Sequence, residues 1–285
     1  MTTPPVVLAI AGTDSGGAAG LAADLTTCAA LGAHGACVVA AVTAQDTTGV
    51  LSIHAVPVEV VAAQLDAVLD DLPVAAVKTG MLGSAEAVRL VADRCRGLPL
   101  VVDPVLAATS GARLATDEVR AAYLEHLLPV ATVATPNRGE ALALLGLAAD
   151  DSTPPSALAR WLTGLGCAVV VTGGPDGAPT GPVDTCTDWL ALPADVGASP
   201  APGAGDAPMM LHHPAVDTHN DHGTGCTFSA ALAVHLARGQ PLEDAVRAAA
   251  TYTTGQLALS AHWTLGRGRG PIAHTSTTDQ QPPHR

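Results

Sequence analysis

Short runs of β-branched and other apolar residues alternate with helical segments along most of this 285-residue chain. The runs are apolar throughout, which is typical of strands buried on both faces of a parallel sheet. The predicted strands are Val6–Ala11, Ala36–Thr43, Ala75–Lys78, Leu100–Asp103, Ala131–Thr135 and Cys167–Thr172. The predicted helices are Gly20–Leu31, Pro57–Asp71, Ser84–Arg96, Thr116–Leu128, Asn137–Leu145, Pro155–Leu165, Thr224–Arg238 and Pro241–Ser260. This order predicts an α/β protein with a mostly parallel central sheet covered by helices on both faces.

The alternation stops between Gly173 and His222. Two weak strand patterns, TDWLAL and MMLHHPAVDT, flank a Pro/Gly/Ala-rich stretch there. They predict a β-hairpin with a long flexible insertion at about 193–208. The tail at 271–285 is polar, and we expect it to be disordered. Because the sequence contains no internal repeat and no second core, we expect a single domain over 1–270.

Acidic residues outnumber basic ones, with 26 Asp and Glu against 13 Lys and Arg and a net charge of −13 at pH 7. This charge argues against nucleic acid as a partner, and a phosphate site must therefore use backbone amides, a metal ion or a few arginines. No apolar run approaches the roughly 18–20 residues of a membrane span, so we expect no membrane partner. The six cysteines form no C-x-x-C pair. We therefore expect reduced thiols and a cytoplasmic location.

The segment His222-Gly-Thr-Gly-Cys226 leads directly into a predicted helix. Its two glycines allow a tight turn whose amide groups point into one concavity, and the helix adds free N–H groups and the positive end of its dipole. Such a site binds anions. In the first turn of a helix a cysteine thiolate is favoured, so Cys226 could act as a base or a nucleophile. A glycine-rich helix start with a buried thiol is the alternative that the spacing leaves open.

A second glycine-rich turn, at residues 12–20, follows the first predicted strand, and Asp24 lies one turn into the next helix. The turn lacks the Lys and Ser/Thr of a P-loop, and Asp14 stands where a dinucleotide-binding loop has glycine. The carboxyl edge of a parallel sheet is nevertheless where small ligands bind in open α/β folds, although a simple βα connection would also fit. Gln45, at the end of another strand, offers a donor and an acceptor side by side, as an aminopyrimidine edge requires.

Two carboxylates follow other predicted strands. Asp103 lies in VVDP and Glu140 in TPNRGE, so both are expected at the same sheet edge, where hard oxygen ligands suit Mg²⁺. Asn137 and Glu140 also match a capping box, and the two roles are compatible. Near Cys226 lies a group of histidines whose spacing matches no standard zinc pattern, namely His212, His213, His219 and His222.

Many ordered blocks of the chain carry a family resemblance. They are LAIAGTDSGGAAGLAADL at 8–25, ALGAHG at 30–35, AVTAQDT at 41–47, VKTGML at 77–82, VVDPV at 101–105, TPNRGEALALLG at 135–146, VVVTGG at 169–174, DHGTGCTFSAALA at 221–233 and GRGRGPIAH at 266–274. Together they resemble the hydroxymethylpyrimidine and phosphomethylpyrimidine kinases of thiamine biosynthesis, within the ribokinase-like superfamily. The resemblance implies a three-layer α/β/α fold. It also implies phosphorylation of 4-amino-5-hydroxymethyl-2-methylpyrimidine, and then of its monophosphate, with ATP and Mg²⁺, and we expect a homodimer.

The resemblance further implies roles for individual residues. Gln45 would hold the pyrimidine, with Gly12, Asp24 and Met81 near it. Cys226 would take the hydroxyl proton, while the amides of Gly223, Thr224, Gly225 and Cys226 would stabilise the transferring phosphoryl group. The nucleotide would lie against Asn137, Thr172 and Lys78. The metal ligands would be Glu140 and Asp103.

The chain departs from the family around the expected phosphates. Ala108-Thr-Ser-Gly-Ala112 stands where the family commonly has A-K-S-G-D, and Pro175 stands where many members have histidine. Four arginines are candidates to replace the lost lysine: Arg113, Arg138, Arg267 and Arg269. Two alternative functions stay open, a pyridoxal-type kinase and a pyrimidine-binding regulatory protein that has lost turnover.

Overall fold

The computed structural model describes residues 3–106, 115–173, 185–193 and 207–275. These residues contain a nine-stranded sheet formed by β1 (Val6–Gly12), β2 (His34–Asp46), β3 (Gly49–Ala55), β4 (Val74–Thr79), β5 (Leu100–Val102), β6 (Val133–Ala134), β7 (Ala168–Val171), β8 (Thr185–Ala191) and β9 (Met209–Pro214). The α-helices are α1 (Gly20–Ala30), α2 (Val58–Leu69), α3 (Ala85–Arg94), α4 (Asp117–Ala122), α5 (Arg138–Leu145), α6 (Pro155–Leu162), α7 (Thr224–Ala237) and α8 (Leu242–Ser260). Within these ranges, none of the helices combines the length and apolar character needed to cross a membrane.

The strand order is β3-β2-β1-β4-β5-β6-β7-β8-β9. The six strands from β2 to β7 in this order pair in parallel, whereas β3 at one edge and β8 and β9 at the other are antiparallel to their neighbours. This order confirms the mostly parallel sheet, and β8 with β9 forms the predicted hairpin. The sequence analysis did not predict β3, because most of its residues are exposed and no buried apolar face marks it.

Helices cover both faces of the sheet. On one face, α2 to α6 pack against residues such as Leu8 and Ile10 of β1. On the other face, α1, α7 and α8 pack against residues such as Val7 of the same strand. Successive strand residues point to opposite faces, so one apolar strand supplies both cores. The predicted three-layer α/β/α arrangement is confirmed.

The helix predicted over 116–128 does not continue as one α-helix. After α4, a π-helical turn spans Tyr123–Leu127 and a 3-10 turn spans Leu128–Val130. Pro129 has no N–H, so it cannot continue α-helical hydrogen bonding. The Tyr123 hydroxyl, which is fully buried, donates to the Gly80 carbonyl at 3.0 Å, directly after β4.

The single domain predicted over 1–270 stays a prediction, but the expected start of the tail at 271 is wrong. Pro271 forms a bridge with His222, and Ile272 and Ala273 are buried. His274 Nδ1 lies 3.1 Å from Thr227 Oγ1, so this segment packs against the start of α7. The remainder of the predicted tail and most of the insertion predicted at about 193–208 lie outside the described residues.

Candidate active site

The candidate site lies where β1 and β4 end side by side. Strand β2 pairs with one side of β1 and β4 with the other, so the sheet order reverses at β1, and such switch points are where open α/β sheets bind ligands. Gly12 ends β1, and Met81 follows β4. A Cβ atom placed on Gly12 would lie 2.5 Å from Met81 Cε, so the end of the flexible methionine side chain lies directly against this glycine. Two residues expected near the pyrimidine are therefore in contact with each other.

Asp14 organises the glycine-rich turn after β1. Its Oδ1 accepts from the Gly16 amide at 2.7 Å, and its Oδ2 accepts from the amides of Ala18 and Ala19 at 3.1 and 2.9 Å. Burial alone would raise the pKa of Asp14, but hydrogen bonds from His222 and from these amides lower it below its usual value. The sequence analysis did not predict this role. Aspartate is nevertheless common in glycine-rich turns, because its side chain can accept hydrogen bonds from backbone amides further along the turn.

Gln45 lies at the end of β2 and faces the same turn. Its backbone is fixed by Ser15, whose hydroxyl donates to the Gln45 carbonyl at 2.6 Å and accepts from the Gln45 amide at 2.8 Å. Its side-chain Nε2 lies 2.9 Å from Nε2 of His222, which in turn lies 3.3 Å from Asp14 Oδ2. The sequence analysis predicted no contact between His222 and Gln45, so this pairing is seen only in the structure.

The start of α7 has features that suit the expected anion site, which stays a prediction. Gly223 has a φ of +93°, and a Cβ there would lie only 1.8 Å from the Ala18 carbonyl oxygen, so this position requires glycine and joins α7 to the first turn. The amides of Gly225 and Cys226 have no hydrogen-bond acceptor among the described residues. Free N–H groups at the start of a 14-residue helix suit a phosphate group.

Cys226 contributes a sulfur atom at this point. The backbone of Gly20, at the start of α1, lowers the pKa of the Cys226 thiol. Burial raises the pKa of the Cys226 thiol to about 12, the carboxylates of Asp24 and Asp103 add to this increase, and Lys78 opposes it. The expected stabilisation of the thiolate is therefore wrong for the ligand-free protein. The helix start favours a thiolate, but desolvation and two nearby carboxylates outweigh that effect.

Lys78 and Asp24 form a buried ion pair next to Cys226. Lys78 Nζ lies 2.7 Å from Asp24 Oδ1 and 3.9 Å from Asp103 Oδ2, and the side chains of Lys78 and Asp24 are completely buried. Burial raises the pKa of Asp24 to about 6 despite the opposing effect of Lys78. Neither side chain reaches the surface, and the expected places of Asp24 near the pyrimidine and of Lys78 beside the nucleotide stay predictions. Both act on the site through the charge that they place beside Cys226.

Asp103 and Glu140 are the candidate metal ligands. Ser229 donates to Asp103 Oδ2 at 3.2 Å, and the Asn137 amide donates to Glu140 Oε2 at 3.0 Å. Burial, and then the charge of Asp103, raise the pKa of Glu140 well above its usual range. A divalent cation would lower the free energy needed to keep two neighbouring buried carboxylates ionised, and hard oxygen atoms are the donors that Mg²⁺ prefers. The residues present therefore fit this ion.

Asn137 and Thr172 lie side by side at the next strand ends. Residues 137 and 172 form a parallel bridge, which places both expected nucleotide residues together. The predicted capping box is confirmed, because Asn137 Oδ1 accepts from the Glu140 amide at 2.9 Å while the Glu140 carboxylate accepts from the Asn137 amide. The start of α5 therefore holds Asn137, an expected nucleotide-binding residue, next to Glu140, an expected metal ligand.

The candidate arginines are partly accounted for. Arg267 pairs with Asp46 at 2.9 Å, Arg269 pairs with Asp221, and Arg138 donates to the Asp151 carbonyl. Arg113, the divergent stretch Ala108–Ala112 and Pro175 lie outside the described residues. Each of these three described arginines therefore has a partner in the structure, and their role as substitutes for the missing lysine stays a prediction.

The chain is similar to several known kinases. Residues 14–273 match the phosphomethylpyrimidine kinase family. A hydroxymethylpyrimidine/phosphomethylpyrimidine kinase of Streptomyces coelicolor is 44% identical over 95% of each chain, and one of Rhizobium meliloti is 42% identical over 94% of this chain and 96% of its own. A pyridoxal kinase of Bacillus subtilis in complex with ADP superposes with a TM-score of 0.83 at 30% identity, over 96% of this chain and 98% of its own.

A solved phosphomethylpyrimidine kinase of Clostridium difficile is also similar. It superposes with a TM-score of 0.68 at 30% identity, over 88% of this chain and 98% of its own. The curated relatives and this structure share nearly their full lengths with the chain, and the matched range contains the turn after β1, the ends of the central strands and the start of α7. The chain belongs to the phosphomethylpyrimidine kinase family.

Proposed function

We propose that this kinase phosphorylates 4-amino-5-hydroxymethyl-2-methylpyrimidine, and then its monophosphate, with ATP and Mg²⁺. One observation carries the proposal. The side chain of Gln45, which can read an aminopyrimidine edge, lies 2.9 Å from that of His222, and His222 directly precedes the anion site of Gly223–Cys226. A pyrimidine held by Gln45 would therefore lie close to amides that suit a transferring phosphoryl group.

The chemistry requires positioning and charge stabilisation above all. The hydroxyl oxygen of the pyrimidine attacks the γ-phosphorus of ATP, the bond from this phosphorus to the β–γ bridging oxygen breaks, and ADP leaves. The amides of Gly223, Gly225 and Cys226 would stabilise the charge on the transferring group. The Thr224 amide donates to the Asp221 carbonyl at 3.2 Å and would have to leave that acceptor to join them. In the first phosphorylation the hydroxyl proton passes to the Cys226 thiolate, whose own proton has been lost to solvent. Lys78 and the Gly20 backbone favour that ionised form.

Asp103 and Glu140 would hold the magnesium ion, while Asn137 and Thr172 would lie against the nucleotide. When bound, the metal would neutralise part of the phosphate charge. The contribution of the chain is to keep both carboxylates at one edge. Glu140 is oriented by the capping box with Asn137, and Asp103 is oriented by Ser229.

A second candidate function is the phosphorylation of pyridoxal, favoured by the similarity to the Bacillus subtilis pyridoxal kinase. We would incubate the protein with Mg²⁺-ATP and each alcohol and analyse the products by mass spectrometry. We expect the pyrimidine monophosphate and then the diphosphate, with a higher kcat/KM for the pyrimidine than for pyridoxal. A higher value for pyridoxal would reverse the assignment. Pyrimidine binding by calorimetry without ADP formation would indicate a regulatory protein.

We also propose a homodimer. The outermost strand β3 leaves its backbone edge unpaired in the sheet order and exposes Leu51 by 80% and Ile53 by 42%. An exposed apolar edge strand is a surface that a second copy can cover. We expect twice the chain mass by light scattering, and half of that mass for Leu51→Asp. A monomeric native protein would contradict this assembly.

The proposed cytoplasmic location follows from the chemistry. Cys226 must stay reduced to accept a proton, and all six cysteines are free thiols in the structure. A reducing compartment that supplies ATP meets both requirements. We expect the native protein to fractionate with cytoplasmic markers, and recovery with an exported fraction would contradict this location.

A further inference from the structure

Cys186, Asp188 and His213 form a cluster on the β8–β9 hairpin, and none of them is among the residues proposed to transfer phosphate. The antiparallel register places Cys186 directly opposite His213, and Asp188 lies two residues further along β8 on the same face. One ligand atom from each residue, a sulfur, a carboxylate oxygen and a ring nitrogen, lies within 4.8 Å of the other two. Three different metal-ligating side chains therefore converge on one point.

The groups around this cluster fix two of its members. Asp188 is 3% exposed, and its Oδ1 accepts from the Gly173 amide at 2.6 Å, which leaves Oδ2 directed toward the cluster. That Oδ2 lies 3.2 Å from Nε2 of His213. The other ring nitrogen, Nδ1, lies 3.2 Å from the Thr254 hydroxyl of α8. Such outer contacts on a carboxylate and on the distal nitrogen of a histidine are typical of metal sites, where they orient the ligands.

We propose that Cys186, Asp188 and His213 bind a transition-metal ion of the zinc class. The donor chemistry selects the class, because a sulfur and an imidazole nitrogen suit Zn²⁺ and Co²⁺ but not Mg²⁺, which prefers oxygen donors. The ligands are Cys186 Sγ, Asp188 Oδ2 and His213 Nε2, and three protein ligands leave a fourth position for water or another small ligand. On binding, the thiol releases its proton to solvent, as does the imidazole if it is protonated, so uptake of the ion acidifies the solution.

This site is distinct from the proposed magnesium site, and it goes beyond the proposed kinase function. It lies on the antiparallel edge of the sheet rather than at the carboxyl ends of the parallel strands. The hydrogen bond from Gly173, the residue after Thr172, connects it to the strand end proposed to bind the nucleotide. The other histidine of β9, His212, contacts Thr187 instead and is not a member of the cluster.

The test is a titration of tag-free, metal-stripped protein with Co²⁺. We expect one equivalent bound, a thiolate-to-cobalt charge-transfer band, and displacement of that band by Zn²⁺. Cys186→Ser should abolish the band, and His213→Gln should weaken binding at least tenfold, as loss of a ligand exceeds the effect of losing an outer contact. His212→Gln, on the same strand, and Cys226→Ala should both retain the band.

The wild-type spectrum alone can overturn the proposal, whether or not the variants fold. Wild-type protein that binds no stoichiometric Co²⁺, or that binds it without a thiolate band, would show that the cluster is a hydrogen-bonded group only. A band lost in Cys226→Ala but kept in Cys186→Ser would place the metal elsewhere and would equally overturn it. None of these outcomes depends on which alcohol the kinase phosphorylates, so failure here is distinguishable from failure of the proposed function.

Discussion

Nε2 of Gln45 lies 2.9 Å from Nε2 of His222, although the two residues are 177 positions apart in the chain. His222 is in turn 3.3 Å from Asp14, and its backbone amide donates to the Gly270 carbonyl at 3.0 Å. The end of β2, the turn after β1 and the segment before α7 therefore meet at one imidazole. The Gln45 side chain therefore contacts the residue that directly precedes Gly223.

Replacement of Gln45 tests the recognition of the ring. We expect Gln45→Ala to raise KM for the pyrimidine at least about tenfold while kcat changes little, because the lost hydrogen bonds serve binding rather than the transition state. Steady-state kinetics with saturating Mg²⁺-ATP provide the measurement. Gln240→Ala, an exposed glutamine after α7, is the control and should behave like the wild type. An unchanged KM in Gln45→Ala would place the ring elsewhere.

Cys226 allows a test of the proposed proton transfer. We expect Cys226→Ala to lower kcat at least about a hundredfold with little change in ATP affinity, as for the loss of a base. Since burial raises the pKa of the thiol to about 12, the single-turnover rate of the wild type should rise with pH from neutrality without levelling off. A plateau below pH 9.0, the ordinary value for a cysteine, would show that the sulfur ionises more easily than its surroundings indicate.

More of the fold than of the candidate site could be predicted from the sequence. Apolar strands such as Val6–Gly12 follow directly from their composition, because a strand buried on both faces must be apolar along its whole length. Strand β3 carries no such pattern, so its pairing with β2 could not be seen. The glycine-rich turns indicated the region of the site, because glycine in the sequence marks backbone positions with positive φ. Gly223, with a φ of +93°, is such a position.

The surroundings that the sequence could not show are contacts between residues distant in the chain. Asp24 and Lys78 are 54 positions apart, and nothing in either local sequence shows that they neutralise each other in the interior. Each therefore looked available for a ligand. The pKa of Cys226 was misjudged for the same reason, because the helix start is visible in the sequence whereas the burial and the two carboxylates are not.

Asp14 should make the free energy of unfolding depend on pH. Hydrogen bonds from His222 and from the amides of the turn lower its folded-state pKa, so its contribution to stability is present above the unfolded value of 3.8 and is lost as the pH falls through the lowered value. At pH 7 we expect Asp14→Asn to lose about 1–3 kcal/mol of unfolding free energy. Urea unfolding at pH 7 and below 3.8 should show this difference shrinking in acid, and a difference independent of pH would contradict the argument.

Glu140 tests the proposed metal binding. Glu140→Gln preserves the capping box, since glutamine can also accept from the amide at the helix start. The variant should therefore stay folded but lose one anionic ligand, and we expect it to need at least about tenfold more Mg²⁺ for half-maximal activity. Glu86→Gln, at an exposed glutamate in the first turn of α3, is the control. Equal Mg²⁺ dependence in both variants would remove Glu140 from the metal site.

Gly223 and Gly239 separate steric contact from backbone conformation. Both have positive φ, +93° and +74°, so alanine costs about 1–2 kcal/mol of backbone strain at either position. A Cβ at 223 would in addition lie 1.8 Å from the Ala18 carbonyl oxygen, whereas one at 239 would meet nothing within 4 Å. Moving the Ala18 backbone away from such a contact costs about 1–3 kcal/mol more. We therefore expect Gly223→Ala to lower the unfolding free energy by about that much more than Gly239→Ala does in urea titrations, and equal losses would mean that the turn after β1 and the start of α7 are not in contact in solution.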